Sequence, residues 1–292
     1  MSLDGIETWH VDQFSANVIQ QFQQCGTRLR GTIREHAITG AKDFWTRVGP
    51  TTAVKKTVRH GDTPRVVTPL SERLVTLDDW EYADLIDWAD RYKVLLDPQA
   101  EYVVAGGNAL GRVFDATIIS AFDADAFGGE NSGTITTFVS EGWDHVLTQA
   151  FSVADLIQAS EDLNNADAPE EGRHIVLPPS GFSHLFRESD NLSLTDVDRA
   201  NIKALVNGEI DSFMGFTFHK SNLLPSPAPN LRYAYAWHEA ALGLSISEDL
   251  KTVISERADK SYSVQVKVSA SLGAARIQGN GVVRFTYDER VP

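Results

Sequence analysis

The chain has 292 residues, 42% of them apolar and 23% charged, with a formal net charge of −14 and a single cysteine, Cys25. That composition excludes a disordered chain, an internal disulfide and a cysteine-based zinc site, and the acidic balance argues against a general nucleic-acid binder, which needs a basic face to displace phosphate counterions. The first residues, MSLDGIETWHVDQF, lack a basic and then apolar leader, and nowhere do eighteen apolar residues run together, so neither a cleaved export signal nor a membrane span is expected.

Residues 1–45 open polar and continue as FSANVIQQFQQCGTRLRGTIREHAI, where Val18, Ile19, Phe22, Leu29 and Ile33 recur near helical spacing and Gly26 and Gly31 interrupt it. The expectation is an arm of interrupted helices with little core of its own. From Trp45 to Asp79 short β-branched runs alternate with Gly49-Pro50, Gly61-Asp62 and Pro64, which predicts a two-stranded ribbon turning near Gly61. A lone ribbon is marginal in water, so it needs a surface to rest on.

Charge is unevenly placed here. Between Arg47 and Arg65, five bases (Arg47, Lys55, Lys56, Arg59 and Arg65) face one acid, Asp62. Between Asp78 and Glu101, eight acids, Asp84, Asp87 and Asp90 among them, face two bases. One reading is the solvated faces of a surface ribbon and helix. The other is docking of one copy's ribbon on the acidic block of a neighbouring copy.

Asp97 to about Ala126 reads as one long helix, with Asp97 as N-cap and Pro98 at the first helical position. Val103, Leu110, Val113, Phe114, Thr117, Ile118, Ala121 and Phe122 form an apolar stripe at three- and four-residue spacing. At about 1.5 Å per residue the helix spans about 37 Å, enough to cross a domain. Gly107 and Gly111 lie a turn apart in it, and each costs about 1 kcal/mol against Ala, so close approach of another backbone is expected there.

Beyond a Gly-rich break, residues 134–150 are short and ambiguous. A helix is predicted from Ser152 to about Ala166, capped by Ser152 with Asp155, followed by the buried strand HIVL, a Pro-Pro stop, a helix from Ser180 and another over 195–207. Gly208 to Phe218 alternates as a strand, and Leu224 to Pro229 is a proline-rich turn, so this part reads as an α/β subdomain. The last sixty residues, with YAYAWHEAALGLSIS, SYSVQVKVSASLGAARI and GVVRFTYDE, read as antiparallel strands that can cover the long helix.

Motifs for chemistry fail on inspection. Gly106 to Val113 imitates a phosphate loop but places Arg112 and Val113 where Lys and Ser or Thr are needed, and Asn108 breaks the dinucleotide pattern. His238-Glu239-Ala240-Ala241-Leu242 has Leu242 in place of the second imidazole of a zinc-protease helix. Ser183-His184 lacks the glycine frame of a nucleophile elbow, and Asp84, Asp87 and Asp90 lack the converging partners of a metal cluster. No cofactor is expected, and a structural or binding role is favoured.

Taken in order, several stretches resemble the tailed-bacteriophage major capsid proteins of the Hong Kong 97 fold. NVIQQFQQCGTRLRGTI, FWTRVGP and RHGDTPRV resemble the N-terminal arm and extended loop, and LIDWADRYKVLLDP with AGGNALGRVFDATIISA resembles the lead-in and spine helix. GFTFHKSNLLP, AYAWHEAALGLSIS and DKSYSVQVKVSASLGAARIQGNGVVRF resemble the end of the axial subdomain and the closing peripheral strands. The resemblance implies an α+β fold with an arm over 1–45, an extended β-ribbon loop over 46–80, a peripheral domain with its spine helix over 81–145, an α/β axial domain over 146–230 and closing strands over 231–292.

It further implies a non-enzymatic shell subunit. Its partners would be itself as pentamers and hexamers, a portal, a separate scaffolding protein, and packaged double-stranded DNA bound without sequence specificity, with room for a decoration protein and no membrane. Assembly is expected in the bacterial cytoplasm and the final location in the virion. Some relatives crosslink a loop Lys to a neighbour's Asn; Lys55 or Lys56 could hold the Lys position, but no Asn matches, and crosslinking is not predicted. An encapsulin-like nanocompartment shell shares the fold and stands as one alternative, and a soluble α/β enzyme with an unrecognised site as another.

Overall fold

The structure, a computed structural model, describes residues 23–59, 61–63, 65–87, 99–128, 133–191, 196–208 and 211–290. The first half of the chain holds β1 (Arg34–Ala37), β2 (Lys42–Val48), β3 (Leu70–Thr76), β4 (Asp78–Ile86) and helix α1 (Gln99–Asp123). Then come β5 (Ala126–Gly128), β6 (Thr134–Thr136), the single turn α2 (Phe138–Glu141), β7 (Trp143–Val146), α3 (Val153–Asn165) and β8 (Arg173–Leu177). Helices α4 (Pro179–Asn191) and α5 (Asp196–Asn207) lead to β9 (Ser212–Phe213) and β10 (Phe216–Lys220). The chain closes with β11 (Leu231–His238), β12 (Leu242–Arg257), β13 (Ser263–Arg276) and β14 (Val282–Asp288).

Helix α1 is the long element the periodicity predicts, and it lies on a four-stranded sheet ordered β1-β12-β13-β4. Leu110, Phe114, Ile118 and Phe122 pack in one core with Val268, Ala270 and Leu272 of β13. The proposed cap, Asp97-Pro98, lies outside the described residues. At the other end the helix stops three residues before Ala126, because the chain extends there into β5.

A second sheet, ordered β7-β14-β11-β8-β10-β9, is a partition with a core on each face. Its strands alternate accordingly, as a period of two requires. On β11, Tyr235 and Trp237 face the spine helix while Ala234 and Ala236 face helices α3 to α5. The same split places Val176 of β8 and Val282 of β14 on the spine side, and Ile175, Leu177, Val283, Phe285 and Tyr287 on the other. Phe122 of α1 seals the joint, its ring 4.7 Å from Tyr235 and 4.8 Å from Trp237. The parallel pair β8 and β10 is linked through α4 and α5, the α/β connection expected of this part. Helix α3 starts where predicted: the Ser152 amide donates to the Asp155 carboxylate at 2.8 Å.

The remaining sheet, β2-β3-β5-β6, is the root of the ribbon. Several expectations need correction. Residues 23–33 contain no helix; Gly26 and Gly31 have φ of 65° and 88°, so the chain turns there, and β1 follows as a short strand parallel to β12. The single strand expected from Gly208 to Phe218 is a tight hairpin, because Met214 and Gly215 both adopt positive φ and reverse the chain between β9 and β10. Asp84 lies on a strand, β4, paired with Val266, and not on a helix.

Candidate assembly surfaces

The motif that imitates a phosphate loop is a seat for the N-terminal arm. Asn108, Gly111 and Asp115 fall on one face of α1 by their spacing of three and four. The Asn108 side-chain oxygen accepts the Gly26 amide at 3.3 Å. Asp115 is fully buried and accepts the amides of Arg28 at 3.0 Å and Leu29 at 3.1 Å, together with the Gln24 side-chain amide. A buried carboxylate is costly without donors, and here the arm supplies three. Arg112 donates to Gln23 at 2.9 Å.

Gly111 makes the approach possible. A Cβ built on it would lie 2.7 Å from the carbonyl carbon of Gly26. At Gly107 a Cβ meets nothing within 4 Å, so within the chain the second close approach belongs to Gly106, where it would sit 2.6 Å from the Tyr82 ring and 2.9 Å from Val268. The stripe that faces the sheet passes through residue 106, and one residue further the helix has turned about 100° away. The arm is then fastened by Leu29 and Ile33 in the spine core. Arg30 bridges Glu35 at 3.1 Å and Asp249 at 2.8 Å over the Phe114 ring.

The ribbon is the opposite case. Its legs β2 and β3 pair from Lys42–Thr76 to Val48–Leu70, and Gly49 donates to Pro69 at 2.8 Å. Beyond that root, every described residue over 51–59 and 65–70 is exposed, including Val54, Val58, Val66 and Val67. Lys55, Lys56, Arg59 and Arg65 make no hydrogen bond or ion pair among the described residues. Among the described residues Asp84 accepts the adjacent Leu85 amide alone, Asp87 is exposed, and Asp90 lies outside them. Among the described residues the basic and acidic blocks are therefore not joined within one chain.

Arg47 departs from its expected place in this set. Its guanidinium is used at home, donating to Ser71 at 2.7 Å, the Ile277 carbonyl at 2.9 Å and Glu141 at 3.5 Å. It anchors the ribbon root, with each of its three nitrogens bonded within the chain. Sequence reasoning missed Asp115 and Asn108; the available signal was a polar pair seven residues apart inside an apolar stripe.

Clusters that imitate catalytic sites have structural explanations. His36, Asp43 and Ser245 meet, but Asp43 sits between the other two and Ser245 donates straight to it at 2.7 Å, so the imidazole does not reach the hydroxyl. Among the described residues no group of three His, Cys, Asp or Glu side chains could hold a metal, and no helix is long and apolar enough to cross a membrane.

A half-buried histidine pair provides an acid-sensitive point. His219 Nε2 lies 3.2 Å from His174 Nδ1, and both rings pack on Trp237. Burial, and then the neighbouring His174, push His219 from the ordinary 6.5 to about 4, against the pull of Asp211. Burial also lowers His174, against Glu239. The unfolded chain thus takes up protons first, and stability is full above about 6.5 and lost as pH falls towards about 4. His219→Phe is expected to shrink the drop in the urea midpoint between about pH 7 and about pH 4.5; an unchanged drop excludes this pair as its source.

A long helix on a four-stranded sheet, an exposed ribbon and a six-stranded sheet with a core on each face make up the mixed α+β fold of Hong Kong 97-type coat subunits. Solved capsids share it at low identity: that of Cyanophage P-SCSP1u superposes with a TM-score of 0.74 at 16% identity over 96% of this chain and 94% of that one. The acid-stable capsid of Helicobacter pylori bacteriophage KHP30 gives 0.73 at 11% over 99% of each, and Mycobacterium phage Che8 gives 0.67 at 18% over 93% and 95%. The family model described as phage capsid protein matches residues 6–289, and the chain belongs to that family. It is a structural component of the virion, from a family that is not an enzyme class. No curated protein sequence matches the chain. The alternatives of a nanocompartment shell and of a soluble enzyme find no support in these comparisons.

Proposed function

We propose that this chain is the major capsid protein of a tailed phage, assembling as pentamers and hexamers into an icosahedral head around double-stranded DNA in the host cytoplasm, with a portal and a separate scaffolding protein. The supporting observation is the ribbon, whose Val54, Val58, Val66 and Val67 are exposed and whose Lys55, Lys56, Arg59 and Arg65 have no partner among the described residues. Lys55, Lys56, Arg59 and Arg65 would meet Asp84, Asp87, Asp90 or nearby acids of an adjacent copy, while the valines cover apolar surface there. Charge pairs at such a rim set register and partner choice more than affinity. The net charge of −14 suits a wall that must not adhere to its packaged DNA.

Purified protein imaged by electron microscopy is expected to show closed shells, and a monomer or dimer under all conditions overturns the reading. Arg59→Glu places like charges together and is expected to lower shell yield by about tenfold while leaving the monomer's melting temperature unchanged. Normal yield from that variant removes the docking assignment.

A further inference from the structure

Both legs of the ribbon are tied to one carboxylate. Arg47 on β2 and Arg73 on β3 donate to the same oxygen, Oε1 of Glu141, at the end of α2. Arg73 is almost wholly buried, its side chain 4% exposed. The carboxylate cannot follow if the ribbon swings, because it is wedged against the turn at Gly279, where a Cβ would lie 2.2 Å from the Glu141 Cβ. Among the described residues, backbone pairing of the ribbon to β5 consists of two register pairs, Arg73 with Gly128 and Leu74 with Phe127.

The contacts continue inward. Arg73 also donates to the Thr136 hydroxyl at 2.8 Å, and the carbonyl of that same threonine accepts from Arg276 at 3.2 Å. Arg276 in turn holds the Phe122 and Ala124 carbonyls, each at 2.9 Å, at the end of the spine helix. An unbroken chain of charged contacts thus runs from the ribbon legs through Glu141 and Thr136 to the last turn of α1.

We infer that Glu141 is a positioning residue that latches the ribbon at a fixed angle to the spine helix, independently of how many copies surround it. The β2–β3 ladder holds the legs to each other, and Glu141 ties both legs to the body, beside the bonds of Trp45 to Ser245 and of Arg47 to the Ile277 carbonyl. Releasing it leaves the ladder intact and loosens the ribbon against the body.

The test is a distance measurement in the unassembled full-length protein. Spin labels on the exposed native Cys25 at the arm seat and on Leu70→Cys at the outer end of β3 report the ribbon's angle directly. Glu141→Gln is expected to widen the distance distribution about twofold, as a hinge released from one of its restraints does. Lys267→Gln, which breaks the ion pair with Glu81 away from the root, is expected to leave the width unchanged. An unchanged width in Glu141→Gln, or equal widening in Lys267→Gln, overturns the latch. Should Glu141→Gln fail to fold, Glu141→Asp draws the carboxylate back from both guanidiniums by one methylene and leaves the other bonds of Arg47 in place; widening then supports the latch and an unchanged width overturns it.

Discussion

Gly111→Leu is expected to yield a chain that neither folds stably nor forms shells, whereas Gly107→Leu folds normally. The Cβ at position 111 would meet the Gly26 backbone at 2.7 Å, and a backbone pinned on both sides cannot move aside as a side-chain tip can. Expelling the arm removes Leu29 from the core, at about 2 kcal/mol, and strips the buried Asp115 of three donors, at about 1–3 kcal/mol each. The gain from replacing a helical glycine is only about 1 kcal/mol. The net loss approaches the whole stability of an ordinary domain. Gly107→Leu carries the same gain with no clash, since its Cβ meets nothing within 4 Å. Thermal denaturation of both variants, followed by shell counts, decides the matter; normal shells with Leu at 111 would show that the arm does not need its seat.

This contrast also marks where the sequence stops being readable. A stripe from Leu110 to Phe122 fixes a helix and its buried face, but not the phase to better than a residue, and Gly106 and Gly107 differ by one. Asp115 looks like an exposed acid until the arm's amides arrive from nearly ninety residues away. Strand β1 is invisible in the sequence because Arg34-Glu35-His36-Ala37 has no alternation and a single small apolar residue, and it pairs because β12 offers an edge. The hairpin at Met214-Gly215 lacks the Asn-Gly or Asp-Gly signal that its geometry favours. Arg47 was grouped with the free bases because a charge count over a window says nothing about where one guanidinium points.

What was legible is what local periodicity carries. The spine helix, the capped α3, the strand-stop-helix at β8 to α4 and the alternating β13 each follow from residues close in sequence. Assembly-related features are legible for a different reason. A ribbon that leaves Val54, Val58, Val66 and Val67 uncovered is a poor solution for a solitary chain. The partition sheet is the intermediate case: its strands were foreseen, but that β11 serves two cores emerges only once both faces are covered.

The second large effect is expected at Arg276, which no motif singled out. Its side chain is 1% exposed, and it ends the spine helix by donating to the Phe122 and Ala124 carbonyls at 2.9 Å and to Thr136 at 3.2 Å. Cations are favoured at a helix C-terminus, where unpaired carbonyls gather partial negative charge. Burial lowers the Arg276 pKa and the nearby Glu141 carboxylate opposes that, but a guanidinium remains charged at any working pH. Arg276→Met keeps much of the apolar stem beside Phe138 yet supplies no donor, so three carbonyls lose the guanidinium and Glu141 a nearby cation. A loss of about 3–5 kcal/mol is expected from breaking such a buried charged network. Arg276→Lys should recover only part of it, because an ammonium cannot fork across carbonyls on two elements. Urea denaturation measures both variants against the parent chain; a methionine variant within about 1 kcal/mol of the parent would mean that water or a shifted backbone satisfies the helix end, and that Arg276 is not what terminates the spine.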